Sequence, residues 1–474
     1  VKRKFEGRKK SSTGSAELSP ASSISSRGLK HCCRKCLKLP RLWLACFGAV
    51  GDENLKLSIP YGSDRVDFEI DKHRLLGVFY PAEMRAAIDQ TAQVNYAIRN
   101  PIGSAGLTSL LHKGDTVSIS CDDATRATPT KLLLNCLLPT IEESGIPRSA
   151  VQIVISLGTH RKMTDSELKS KLGEEVIEEY AVWNHAYDDP NELRLLGTID
   201  HDVPVWINRR FLGSSVRICL GNIIPHGNAG WSGGAKSLLP GLAGKETVGR
   251  MHIKSAMTTP NALGVLDNPT RALIDTYGGK VGIHLILNTV LTRNNQILQA
   301  FAGDYLAAHR EGVKLSRQVY GVRLPRQADI VISSSYPADL EFWQAWKGIA
   351  SADLAGKPGG GIVLVTPCPE GISATHPEWK DLLQLDSKTI ELMIQKRQID
   401  DLVAAGLALS IVKIRERHRI CIISDGISHR DAEKLRVEKF TTIEEAIQEL
   451  SREYGSDSTL SVLAHGGDML PIVA

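Results

Sequence analysis

Between Gly227 and Gly244 six glycines surround a lysine, Lys236, at the expected start of a helix. Glycines let backbone come close to a ligand. A lysine in that setting can ride on a phosphate, or act as an amine nucleophile where its pKa is lowered. The stretch matches neither the P-loop pattern nor the GxGxxG dinucleotide pattern. The plain alternative is a solvated lysine. Three histidines stand in or near loops: His160 in G-T-H-R, His226 in P-H-G and His252 in R-M-H. Histidine suits both acid–base work near neutral pH and metal ligation. Taken singly, each is as well explained by packing or exposure. Three together with Lys236 point to a site. Asp122, Asp123 and Arg126 fill another loop. Arg126 can clamp a carboxylate or phosphate through two bonds. The acids can hold a metal or hydroxyls, or cap the next helix. Gln344 and Lys347 share a helix face at i, i+3 and can reach a substrate carboxylate, with Trp343 and Trp346 packing beneath.

The elements that must position these residues have an α/β rhythm. Residues 115–120 (DTVSIS) and 151–156 (VQIVIS) are short β-branched runs, each ending in a polar loop. Between them, residues 129–144 space leucines as a helix does. Strand candidates recur at 216–221, 328–333, 361–366 and 419–424. Alternating strands and helices predict two α/β domains with mostly parallel sheets. In such sheets ligands gather at the carboxyl ends of strands. The expected division is an N-terminal extension over 1–54, a catalytic and cofactor-binding domain over 55–322, and a second α/β domain over 323–455. The active site falls in the cleft between the two domains. The last residues, 456–474, are expected to return to the first domain.

Charge separates the extension from the body. Residues 1–40 carry eleven Lys and Arg against two Glu, a net of +9; the rest of the chain is then −5. The basicity belongs to a tail, so no nucleic-acid partner is expected. The longest apolar runs fall far short of the ~18 residues that span a bilayer, so no membrane partner is expected either. Within the tail, the cluster H-C-C-R-K-C at 31–36 lacks a second ligand pair at zinc-finger spacing. The segment is read as a nonfunctional extension in preference to a metal site or a targeting peptide. The five cysteines beyond it are scattered, most of them in apolar runs, as expected of reduced buried thiols in a cytoplasmic protein.

The stretch H-G-N-A-G-W-S-G-G-A-K-S-L-L-P-G, with G-T-H-R before it and M-H after it, resembles the nickel-pincer-nucleotide lactate racemase family. The resemblance covers the chain from about Leu55 onward. It rests on several spacings at once: 66 residues from His160 to His226, 10 to Lys236, 16 more to His252, and three from Gln344 to Lys347.

That resemblance implies a racemase or epimerase that inverts C2 of a 2-hydroxy acid, lactate or a relative. The cofactor would be a pyridinium-3,5-bisthiocarboxylic acid mononucleotide carrying nickel, bound covalently at Lys236 and supplied by separate biosynthetic enzymes. His252 would complete the nickel coordination. His160 and His226 would be the two acid–base residues. Asp123, Gly233 and Gly234 would hold the nucleotide, and Arg126, Gln344 and Lys347 the substrate carboxylate. The chemistry is coherent. The C2–H of a hydroxy acid is weakly acidic, so hydride removal is the easier route. A planar keto acid that turns and is reduced on its other face needs a second base. Trp343 and Trp346 favour a short or apolar substituent on the substrate. The competing readings are an NAD- or zinc-dependent enzyme using the same histidines, and a non-catalytic cofactor-binding protein. The lack of GxGxxG and HExxH counts against the first.

Overall fold

The computed structural model describes residues 54–200 and 202–474. The expectations for the basic tail, its cysteine cluster and its apolar run fall outside those residues.

Two six-stranded sheets organise the described chain. The first runs, in spatial order, Ile297–Gly303, Leu285–Leu291, Val216–Asn222, Val117–Asp122, Val151–Ser156, Ala181–Asn184. All its pairings are parallel except that of the edge strand Ile297–Gly303. Val117–Asp122 and Val151–Ser156 are buried along nearly their whole length, Ser118 and Ser120 included, as strands of a parallel sheet covered on both faces are. Helix Thr130–Glu143 lies between them in sequence and buries Leu133, Leu134, Leu137 and Ile141. The fold class is therefore as expected, mixed α/β with mostly parallel sheets.

The second sheet runs Glu438–Lys439, Arg419–Ile423, Gly356–Val365, Ala328–Ser334, Leu460–Leu463, Leu75–Phe79, parallel throughout. Here the structure departs from the expected division. The C-terminal stretch does not return to the first sheet. Leu460–Leu463 is an inner strand of the second, fully buried beside Ala328–Ser334. Leu470–Val473 pairs with Gly321–Leu324. The segment after residue 54, assigned by order to the first domain, also joins the second lobe. Leu75–Phe79 forms its edge, and the hairpin Asn54–Tyr61/Asp64–Asp71 packs Ile59, Phe68 and Ile70 with Ile330 and Val363. The reason is physical. Parallel strands pair across long stretches of chain, and a short apolar strand does not announce which unpaired edge it will cover.

The topology creates the site. From Val117–Asp122 the chain moves to Val151–Ser156 on one side and later to Val216–Asn222 on the other. Loops leaving adjacent strands diverge at such a switch point and open a crevice. Facing it is helix Phe342–Ala355 of the second lobe. A further helix, Leu402–Arg415, is apolar on nearly all sides and packs against Lys245–Thr258, the helix that carries His252. The two approach closely at Gly406, where a Cβ would lie 2.5 Å from the His252 carbonyl carbon. Only glycine fits there.

Among the described residues the five cysteines are free and buried. No helix there is long and apolar enough to cross a membrane.

Candidate active site

The ten residues to which the resemblance gives roles line one cavity between the lobes. Asp123, Arg126, His160, His226, Gly233, Gly234, Lys236 and His252 come from the first lobe, and Gln344 and Lys347 from the second.

His160 follows Val151–Ser156, and its Nδ1 lies 2.6 Å from Asp123 Oδ2. Asp123 Oδ1 accepts from the Thr125 hydroxyl at 2.5 Å and backbone N–H at 3.0 Å. Burial would raise this carboxyl, but His160 and then Arg126 outweigh it and hold it well below the usual carboxylate range. An ionised Asp123 makes Nδ1 the protonated nitrogen of His160 and leaves Nε2 with a lone pair. Gln344 Nε2 donates to that nitrogen at 2.9 Å. Asp123 thus orients His160 and its own loop.

His226 is wired differently. Its Nδ1 accepts from the backbone N–H of Asn228 and of Ala229, each at 3.3 Å. The neutral ring therefore carries its proton on Nε2. Loss of hydration, then the charges of Lys236 and Lys347, push its pKa well below the ordinary histidine value.

Lys236 sits on a 3₁₀ turn, Gly234–Ser237, reached through two glycines at φ 76° and 60°. A Cβ on Gly233 would lie 2.7 Å from Ile223 and 2.9 Å from Asn288. The glycines thus let the loop close against its own lobe. The Gly234 N–H is given to Asn288 Oδ1 at 2.8 Å, so that donor is not free for a phosphate. Arg271, itself buried, ties the same loop through the carbonyls of Ala229 and Trp231. Burial, then the charges of Arg126 and Arg271, lower the Lys236 amine to about 7. Near neutral pH a large share of it is the nucleophilic free base.

Gln344 and Lys347 are not on an exposed face. Gln344 is buried, and Trp343 and Trp346 are buried while also lining the cavity. Lys347 Nζ donates to Gln344 Oε1 at 2.6 Å, and Arg126 Nη1 lies 3.5 Å from the same oxygen. An amine and a guanidinium thus converge on one carbonyl oxygen, the arrangement that receives a carboxylate. Burial, then the Arg126 charge, lowers the Lys347 amine well below its ordinary value, and a bound carboxylate would oppose that shift.

His252 is enclosed, and burial followed by the Lys236 charge lowers its pKa to about 3. Its Nδ1 lies 3.0 Å from Asn228 Nδ2, while Asn228 Oδ1 is buried without a partner. Among the described residues no group of three or more His, Cys, Asp or Glu is placed to hold a metal ion.

The arrangement can bind a small carboxylate, move protons at two imidazoles and present a reactive amine. Two family models match the chain, the lactate racemase N-terminal domain over residues 61–264 and the lactate racemase C-terminal domain over 324–470. The chain belongs to the lactate racemase family. It is an isomerase by that membership. It is 28% identical over 422 residues to the lactate racemase of Thermoanaerobacterium thermosaccharolyticum, covering 86% of this chain and 97% of that protein. It is 26% identical over 418 residues to the lactate racemase of Lactiplantibacillus plantarum, covering 86% and 98%. The solved apoprotein of the T. thermosaccharolyticum racemase superposes with a TM-score of 0.79 at 26% identity, over 88% of this chain and all of that one. A Thermotoga maritima protein shares the fold at a TM-score of 0.66 and 20% identity, over 84% of this chain and all of that one.

Several residues of the site escaped sequence reasoning. Asn228 stood two residues from His226 in the glycine-rich stretch, and that proximity was the available signal. Asn288 and Arg271 carry no local signal, since each acts on a loop some 40–55 residues away in sequence.

Proposed function

We propose that the chain racemises or epimerises a 2-hydroxy acid at C2, lactate or a relative with a short or apolar substituent, using a nickel-pincer nucleotide attached to Lys236. It would act in the cytoplasm on a small-molecule substrate and receive its cofactor from dedicated biosynthetic enzymes. The domain division is proposed as two lobes that meet at this cavity, with residues 54–79 and 456–474 counted in the second.

The residues fit that cofactor. Lys236 offers a buried amine with a lowered pKa. Turning the Asn228 amide over gives its orphaned Oδ1 a partner in the Nδ1–H of His252 and leaves His252 Nε2 as a metal-ligating lone pair. A nickel ion there would take its other ligands from the cofactor. When bound, the cofactor supplies hydride acceptance and return at the substrate carbon.

The chain's own residues do the rest. Arg126 and Lys347 hold the carboxylate at the point now taken by Gln344 Oε1. His160 Nε2, oriented by Asp123, removes the hydroxyl proton. On the other face His226 serves as acid once it is protonated, and for the opposite enantiomer the two rings exchange roles. The charges of Lys236 and Lys347 oppose that protonation. Acylation of Lys236 removes one charge, and pairing with the carboxylate neutralises the other. The walls keep the keto acid in place while its carbonyl turns.

The observation that carries the reading is the convergence of two differently wired histidines, the lowered amine of Lys236, and Lys347 with Arg126 on one oxygen. The test is racemisation of 2-deuterated hydroxy acids by the loaded enzyme in ordinary water. Inverted product that keeps its deuterium is expected. Inverted product that has exchanged deuterium for solvent hydrogen would contradict hydride transfer.

A further inference from the structure

His376 and Asp401 form a second buried couple with no part in the chemistry above. His376 Nδ1 lies 2.7 Å from Asp401 Oδ2, and His376 Nε2 lies 2.9 Å from the Thr159 hydroxyl. All three residues are buried. Thr159 immediately precedes His160. The ring of His376 stacks on Trp343, with centroids 4.3 Å apart and planes at 14°. Trp343 immediately precedes Gln344, whose amide holds His160 Nε2. One imidazole therefore touches the chain neighbours of both partners in the His160–Gln344 bond, one from each lobe.

Asp401 is itself fixed. Its Oδ1 caps helix Leu402–Arg415 through the N–H groups of Val403 and Ala404, each at 3.1 Å, and its Oδ2 faces Lys245 at 3.7 Å. The loop carrying His160 has a separate anchor at its rim, where Arg161 pairs with Glu370 of the second lobe and with Glu167, each at 2.8 Å. Loss of the Thr159 hydroxyl would leave that anchor in place. A buried histidine–aspartate couple is a poor source of stability, because both groups surrender hydration. What it provides is direction, since each bond fixes an angle as well as a distance.

We propose that His376, oriented by Asp401, is a positioning residue that holds Thr159 and Trp343 in register so that His160 and Gln344 meet across the cleft. The proposal rests on the reading of His160 as an acid–base residue. Displacing a reacting group by ~1 Å costs on the order of 10²-fold in rate.

Thr159→Val removes the hydroxyl at nearly constant volume, Thr159→Ser keeps it, and His376→Phe keeps the ring on Trp343 without the hydrogen bonds. In the loaded enzyme, Thr159→Val is expected to lower kcat by about 10–100-fold with KM changed by less than about threefold. Thr159→Ser is expected to restore kcat. The double variant Thr159→Val/His376→Phe is expected to lose no more than the worse single one, because the two act through one bond. A second readout needs no cofactor. In the unloaded chain, amide hydrogen exchange over residues 157–163 is expected to quicken in Thr159→Val and return to normal in Thr159→Ser, with exchange elsewhere unchanged. Wild-type exchange in Thr159→Val, or a loss of kcat that Thr159→Ser does not rescue, overturns the proposal. If the wild-type enzyme racemises nothing, the functional reading fails, and the exchange measurement still decides whether the couple fixes the loop.

Discussion

His160 and His226 face one cavity from loops that follow the two strands flanking Val117–Asp122, and almost everything around them differs. The His160 loop is short and held by side chains: a carboxylate behind the ring, a glutamine in front, and His376 and Glu370 reaching from the other lobe. The His226 loop is long and glycine-rich, and is held by its own backbone, by Asn288 and by Arg271. The first arrangement presents a lone pair to the cavity and the second an N–H. Environment, and not residue type, gives the two rings their different wiring. In the proposed reading each is base for one enantiomer and acid for the other, because the reaction runs in both directions.

The sharpest way to break the comparison is to remove either ring. His160→Asn and His226→Asn are each expected to lower kcat for racemisation by about 10²–10⁴-fold, with cofactor attachment unchanged by mass. If one variant keeps full rate, the two-histidine account is wrong. Asp123→Asn probes the wiring alone. It leaves the ring but removes the charge that fixes its tautomer, so kcat is expected to fall by about 10–100-fold, with His226→Asn remaining the more severe change.

The other loop is sharpened by chemistry at Lys236. The neutral amine is the nucleophile, so labelling by an amine-reactive reagent is expected to rise with pH and reach half its maximum at about 7. A surface lysine labels only near the ordinary value of about 10.4. Peptide mapping across a pH series reads both at once. Half-maximal labelling of Lys236 near the ordinary value would remove the argument for an activated amine. The smallest effect expected is one on stability, at the helix contact behind His252. Gly406→Ala forces helix Leu402–Arg415 away from His252 and is expected to destabilise the chain by about 1–3 kcal/mol. An unchanged melting temperature would show that the helices adjust freely there.

Much of the site is legible in the sequence for one reason. Loops at strand ends gather at one edge of a parallel sheet, so strand-end position alone groups His160, His226, Asp123, Arg126 and Lys236. The helix face holding Gln344 and Lys347 is legible by its spacing. What is not legible depends on pairing across the fold. Leu460–Leu463 and Leu75–Phe79 are short, and nothing in them names the sheet whose edge or gap they fill. Asp123 reads as an acid in a ligand loop, and only its distance from His160 shows where its charge is used. His376 lies about ten residues past strand Gly356–Val365 with no motif around it, more than 200 residues from the threonine it touches.

The central claim is that Lys236 carries the group on which the chemistry depends. Intact-mass spectrometry with metal analysis tests it most directly, on chain co-expressed with the cofactor-biosynthesis enzymes and on its Lys236→Ala variant. A nucleotide-sized mass gain with nickel, both absent from the variant, is the result expected. Unmodified, nickel-free wild-type chain from cells in which a control racemase is loaded would contradict it.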